Sequence, residues 1–179
     1  MDKKVIASSM NIASRLLLIC LCAALLLGGV HLLTAPRIAA QEQAKIDEAI
    51  RTLFPTSTFT QEISGAYDKQ IVAVRRAEAD GVLLGYCVQA LGSGYGSDLS
   101  LMISYNEKGE LLQIAVLSHG ETKGIGTKVV ENADYLALYA GTSGKDVSVD
   151  GVSGATLSSN GVRALVLAAN AAVLEVIGA

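Results

Sequence analysis

The run DLSLMISYNEKGELLQIAV, Asp98 to Val116, decides the fold. In an extended chain Leu99, Leu101, Ile103 and Tyr105 point one way, and Ser100, Met102 and Ser104 the other. Asn106-Glu107-Lys108-Gly109 forms a turn, and the run beyond it sets Leu112, Ile114 and Val116 on one face. Two period-two runs joined this way predict an antiparallel hairpin. Upstream, Ile71 to Glu78 reads as another strand. Ala79-Asp80-Gly81 turns it into Val82 to Ala90, with Val82, Leu84, Tyr86 and Val88 on one face. Four strands thus build an antiparallel sheet. Cys87 has no partner cysteine in this part of the chain and is expected to be a buried free thiol.

Three polar, glycine-rich stretches lie around these strands. Leu91 to Ser97, LGSGYGS, offers Gly92, Gly94 and Gly96 for positive φ and close approach to a flat ligand, with Tyr95 beside it. A flexible strand connection would use the same residues. His119 to Thr127, HGETKGIGT, sets a His, an acid, a hydroxyl and a Lys within five residues, ahead of Gly124 and Gly126. It also suits a polar loop leading into a helix over Lys128 to Tyr139. Asp150 to Ser158, DGVSGATLS, falls between a predicted strand and an apolar helix over Leu157 to Ile177. Thr156 stands at the mouth of that helix, where unpaired N–H groups and the helix dipole favour a phosphate. Ser and Thr are equally common as N-cap residues, and D-G and S-G mark turns. The final helix is charged only at Arg163 and Glu175. The uncharged gap between them is too short to span a bilayer, so this helix is expected to be buried on the sheet.

The 179 residues are 51% apolar but only 4% aromatic, a balance that points to a membrane segment beside a small core. Leu16 to Pro36 holds no Asp, Glu, Lys or Arg and as a helix would extend about 31 Å, the thickness of a hydrocarbon core. Lys3, Lys4 and Arg15 against Asp2 make the first 15 residues +2, leaving −5 of the overall −3 on the remainder. The positive flank predicts a cytoplasmic N-terminus with the body outside, and Arg37 weakens that bias without reversing it. A cleaved signal peptide is the rival reading. The apolar run is long for one, and the exit offers no pair of small residues at −3 and −1. An acidic body argues against a nucleic-acid partner. Cys20 and Cys22 lie on different sides of the helix and read as small apolar residues, and His31 sits near its outer end. Residues 40–53 continue as a polar helix with Ile46, Ala49, Ile50 and Leu53 along one stripe, ended by Phe54-Pro55. The predicted divisions are 1–15 cytoplasmic, 16–36 transmembrane, 37–60 connecting and 61–179 the extracytoplasmic domain.

In this order the motifs resemble the FMN-binding domain family, found in the G-type subunit of the Rnf electron-transport complex and the C-type subunit of the sodium-pumping NADH:quinone reductase. That family runs G-Y-G, strand, hairpin, strand, H-x-E-T-P-G-x-G, then an aspartate and S-G-A-T followed by x-S or x-T. The matching residues are Gly94, Tyr95 and Gly96; His119, Glu121, Thr122, Gly124 and Gly126; and Asp150, Ser153, Gly154, Ala155, Thr156 and Ser158. Lys123 stands where proline is usual, which implies a less rigid loop. The resemblance implies an α+β protein: one N-terminal transmembrane helix, then a small antiparallel-sheet FMN-binding domain with flanking helices.

It further implies FMN joined to Thr156 through a phosphoester bond. Ser153, Gly154, Ala155, Ser158, Glu121, Thr122, Gly124, Gly94, Tyr95 and Gly96 are the implied cofactor-binding residues. No catalytic residue or metal is expected in this chain, so a separate flavin transferase would attach the group from FAD. Asp150 is either read by that enzyme or starts a turn. The implied activity is electron relay within an ion-translocating ferredoxin:NAD+ oxidoreductase of the inner membrane. Partners would be the other subunits, the transferase and membrane lipid. The quinone-reductase protein and a non-enzymatic anchored binding module are the alternatives.

Overall fold

The computed structural model describes residues 3–57, 59–65, 67–96, 98–145 and 147–178; Ser97, at the end of the first glycine-rich loop, lies outside them. The chain divides between Ala44 and Lys45 into two units. The described residues of the first, 3–44, are helical and form part of α1 (Lys3–Leu53). From Arg15 onward this helix is long and apolar enough to cross a membrane, and Leu16, Leu25, Leu32 and Leu33 are exposed along it. Pro36 lies within the helix, where it supplies no N–H. Just ahead of it, the Thr34 hydroxyl donates to the Val30 carbonyl at 2.9 Å. Cys20 and Cys22 are exposed and unpaired by disulfide.

The second unit is a five-stranded antiparallel meander in sequence order: β1 (Phe59–Ile63), β2 (Ile71–Ala79), β3 (Val82–Ser93), β4 (Asp98–Tyr105) and β5 (Leu111–His119). β1 is a fifth strand where four were expected, and it begins inside the segment taken as connecting helix, which ends at Leu53. The 128–139 helix is in fact two short ones, α2 (Thr127–Val130) and α3 (Ala133–Ala137), divided by Asn132, whose side chain caps α3 by accepting from Tyr135 N–H. The chain before Asp150 is irregular rather than a strand, although Val147 and Val149 are buried. α4 (Thr156–Gly178) closes the fold.

One face of the sheet carries α4 and the main core, in which Val88, Leu101, Ile103, Leu165 and Val166 are fully buried. Each such side chain contributes about 1.5–3 kcal/mol. The other face carries Ala77, Cys87 and Met102 beneath the expected stripe of Ile46, Ala49, Ile50 and Leu53, with Phe54. Two register shifts correct the predicted faces. At Gly85 (φ +149°) the pairing slips between Ala77 and Glu78, so Leu83 joins Tyr86 and Val88 in the main core while Leu84 lies with Cys87. A second slip beside Tyr105 turns Leu111 into the core and leaves Leu112 exposed. Extra residues of this kind reverse every face beyond them.

A side chain at Gly85 would strike the Tyr105 carbonyl. Gly85→Ala should therefore cost about 1–3 kcal/mol, seen as a lower melting temperature of the detergent-solubilised chain. Burial pushes the Cys87 thiol from 9.0 up to about 12, with Arg75 pulling weakly the other way. The folded thiol stays neutral and enclosed at neutral pH, so alkylation of the Cys87 peptide should require unfolding. Because the folded value is the higher one, its share of stability is intact below about 9 and is lost as pH rises through about 12. Mass spectrometry of iodoacetamide-treated protein and a pH series of melts check both.

Candidate functional site

α4 begins where Gly154 takes φ +77°, which lets the chain turn sharply before the helix. Ala155 N–H donates to the Val152 carbonyl at 2.9 Å, and Val152 N–H donates to the Ser159 hydroxyl at 3.0 Å. This turn buries Ala155 and turns Thr156 and Leu157 outward. Ser158 and Ser159 point inward and are buried. The first N–H groups of the helix have no intrahelical acceptor, and the dipole adds about half a positive charge there.

Beneath this corner lies Glu121, 8% exposed. One carboxylate oxygen accepts from Tyr95 N–H at 2.9 Å, and the other accepts from the Ser158 hydroxyl at 2.8 Å. A Cβ at Gly94 or at Gly126 would run into that carboxylate, and one at Gly96 would meet the Gly120 carbonyl. Gly94 and Gly126 are therefore packing requirements around a buried acid, and Gly96 around the backbone of the second loop. His119 sits just ahead, its Nδ1 accepting from Glu121 N–H at 3.4 Å and its Nε2 3.5 Å from the Glu131 carboxylate.

Above them opens a cleft of about 330 Å³ lined by Tyr95, Ile125, Gly154, Ala155, Thr156 and Leu157. Of the residues expected at a site, Tyr95, Gly154, Ala155 and Thr156 line it. Gly94, Gly96, Glu121 and Ser158 support it from below. Thr122 is exposed and its carbonyl accepts from Ile125 and Gly126 N–H, both at 3.1 Å. Gly124 (φ +79°) donates its N–H to the Thr127 hydroxyl at 2.9 Å. Lys123 and Gly124 thus occupy the middle of a tight turn, with Lys123 at the position that suits proline. The turn closes without proline, held by the Thr127 hydroxyl. Ser153 and Asp150 are exposed on the approach to the helix.

Ile125 and Leu157 were not anticipated. Their signal was an apolar residue between two glycines and another directly after the threonine. A larger groove, about 560 Å³, runs between β5 and α2–α3, and none of its lining residues comes from the three motifs. The apolar cleft with a hydroxyl at a helix start fits a flat ring carrying a phosphate.

A Cβ at Gly161 would lie 2.6 Å from the Ser93 carbonyl, so α4 rests directly on the end of β3. Gly161→Ala should lift the first turns of α4 and lower stability by about 1–3 kcal/mol, measured as a drop in melting temperature.

Residues 94–171 match the FMN-binding domain family, and residues 4–53 match the RnfG N-terminal region. The chain is 28% identical over 119 residues to the G-type subunit of the ion-translocating oxidoreductase complex of Haemophilus influenzae (strain PittEE), covering 62% of this chain and 58% of that one. It is 24% identical over 123 residues to the G-type subunit of the proton-translocating ferredoxin:NAD(+) oxidoreductase complex of Clostridium ljungdahlii, covering 68% and 63%. It therefore spans less than two thirds of these relatives. The crystal structure of Shewanella oneidensis NqrC aligns with a TM-score of 0.46 at 22% identity, over 64% of this chain and 66% of that one.

Proposed function

We propose, from the match of residues 94–171 to the FMN-binding domain family and of residues 4–53 to the RnfG N-terminal region, that this chain is an electron-carrying subunit of an Rnf-type ion-translocating oxidoreductase, with FMN esterified to Thr156. The observation that carries this reading is the exposed Thr156 hydroxyl, which opens a 23-residue helix on the rim of an apolar cleft. The phosphate would lie against the unpaired N–H groups of the first turn, and the ring along Tyr95, Ile125 and Leu157. FMN supplies one- and two-electron chemistry, while the protein fixes position and potential.

An aliphatic hydroxyl needs a base to become a nucleophile. Among the described residues, none that lines the cleft is an acid, a His or a Lys. A separate flavin transferase therefore supplies the base and reads the exposed approach to the helix at Asp150. In that step Thr156 Oγ bonds to the flavin-side phosphorus of FAD. The bond from that phosphorus to the bridging oxygen breaks, AMP departs with that oxygen, and the hydroxyl proton passes to the transferase. No redox change accompanies it.

The partners are the other subunits of the complex, the transferase and the lipid around α1. The charge flanking the apolar span favours an N-terminus in the cytoplasm and the folded unit outside.

Thr156→Val removes the hydroxyl at an exposed position and should leave folding intact. In cells that contain the transferase, wild-type protein should run as a fluorescent band on a denaturing gel and the variant should be dark. Fluorescence that persists in the variant sinks the assignment.

A further inference from the structure

We propose that Glu121 is the positioning residue of this cleft, and that Ser158 serves as its bolt on α4 and does not touch the flavin. The proposal rests on the flavin reading above and adds how the cleft is held in shape. The six lining residues come from three stretches of chain, and Glu121 joins all three. Its Oε1 takes the N–H of Tyr95, the residue that forms one wall. Its Oε2 takes the hydroxyl of Ser158, two residues beyond Thr156. Its own chain leads through a tight turn to Ile125, the third wall.

The carboxylate is enclosed. Gly94 lies over Oε1 and Gly126 over Oε2, so close that a Cβ on either would collide with it. With both oxygens engaged and the residue 8% exposed, the carboxylate faces the protein and not the cleft. This replaces the expectation that Glu121 touches the ring. It also gives the last hydroxyl of the S-G-A-T-x-S motif a structural reason. Ser158 is fully buried and donates inward, so its place in the motif follows from the clamp.

Two measurements on the full chain in detergent test the clamp. The first is hydrogen exchange at the Tyr95 amide in protein made without the transferase. The second is the visible circular dichroism of the attached flavin in protein made with it. Glu121→Ala should speed Tyr95 exchange by roughly tenfold to a hundredfold, the worth of a hydrogen bond to a charged acceptor. It should also lose the flavin signal while the covalent band remains. Glu121→Gln should keep both, because its amide oxygen can accept from Tyr95 N–H and its amide nitrogen can donate to the Ser158 hydroxyl. Ser158→Ala breaks only the α4 bond and should lose the flavin signal with Tyr95 exchange still slow.

Wild-type exchange and dichroism in Glu121→Ala would overturn the proposal. So would Glu121→Gln losing the flavin signal with Tyr95 still protected, since the carboxylate would then be a ligand of the ring. If Glu121→Ala does not fold, Ser158→Ala decides, and an unchanged flavin signal there refutes the clamp. A wild-type chain that takes no flavin defeats the functional reading alone, and Tyr95 exchange still judges the clamp.

Discussion

One buried carboxylate holds together segments that are 26 and 37 residues apart in sequence, through the Tyr95 amide and the Ser158 hydroxyl. Both bonds are donated to the acid inside the protein, where low local dielectric strengthens them and makes an unmet donor costly. The surrounding glycines follow from this. Gly94 and Gly126 leave room for the carboxylate, and Gly96 lets the first loop lie on the Gly120 carbonyl. A loop rich in glycine reads from sequence as a ligand cradle. In this fold much of that glycine serves to pack chain against chain.

The same corner depends on how α4 meets the sheet. Near its start the helix touches β3 through Gly161, whose missing side chain admits the Ser93 carbonyl. Further along, Asn170 is fully buried; its side-chain oxygen accepts from the Tyr105 hydroxyl at 2.8 Å and its amide donates to the Gly144 carbonyl at 3.0 Å. Both of its bonded groups are satisfied, which makes a buried amide tolerable and fixes the helix along its axis. A helix pinned at two points delivers its first residue to a defined place. Thr156 is set by contacts well away from the cleft as well as within it.

Several of these features were legible in the sequence. β4 was read to its ends because its alternation runs unbroken from Asp98 to Tyr105. The apolar run of α1, the stripe from Ile46 to Leu53 and the start of α4 were clear from composition and periodicity. β1 was missed because FTQEI is short, polar and at the sheet edge, so no alternation marks it. Leu84 and Leu112 were given the wrong face because a bulge shifts the period by one, and a single sequence carries no direct sign of it. Gly85 was the only hint. At the site, the residue types were readable but their partners were not. Glu121 looked like a polar loop residue available to a ligand, and only the fold brings Tyr95 and Ser158 to its two oxygens.

The shallowness of the cleft bears on why a covalent bond would be used at all. Its volume of about 330 Å³ is at the small end for ligand sites, and its large side chains are well exposed: Tyr95 54%, Leu157 58% and Ile125 37%. Such a surface covers part of a three-ring system and gives weak affinity by itself. A tether at Thr156 changes the requirement, because a short linker supplies an effective concentration on the order of millimolar. Weak stacking then suffices to keep the ring in place. A phosphoester at Thr156 would also remove the need for a basic side chain at the phosphate, consistent with a lining that, among the described residues, holds no Lys or Arg. A deep pocket that retained free FMN would enclose the ring edge through which electrons pass to a partner. Under the proposed attachment, an open cleft and a covalent anchor meet one demand together: the ring is held permanently and stays accessible to its partners.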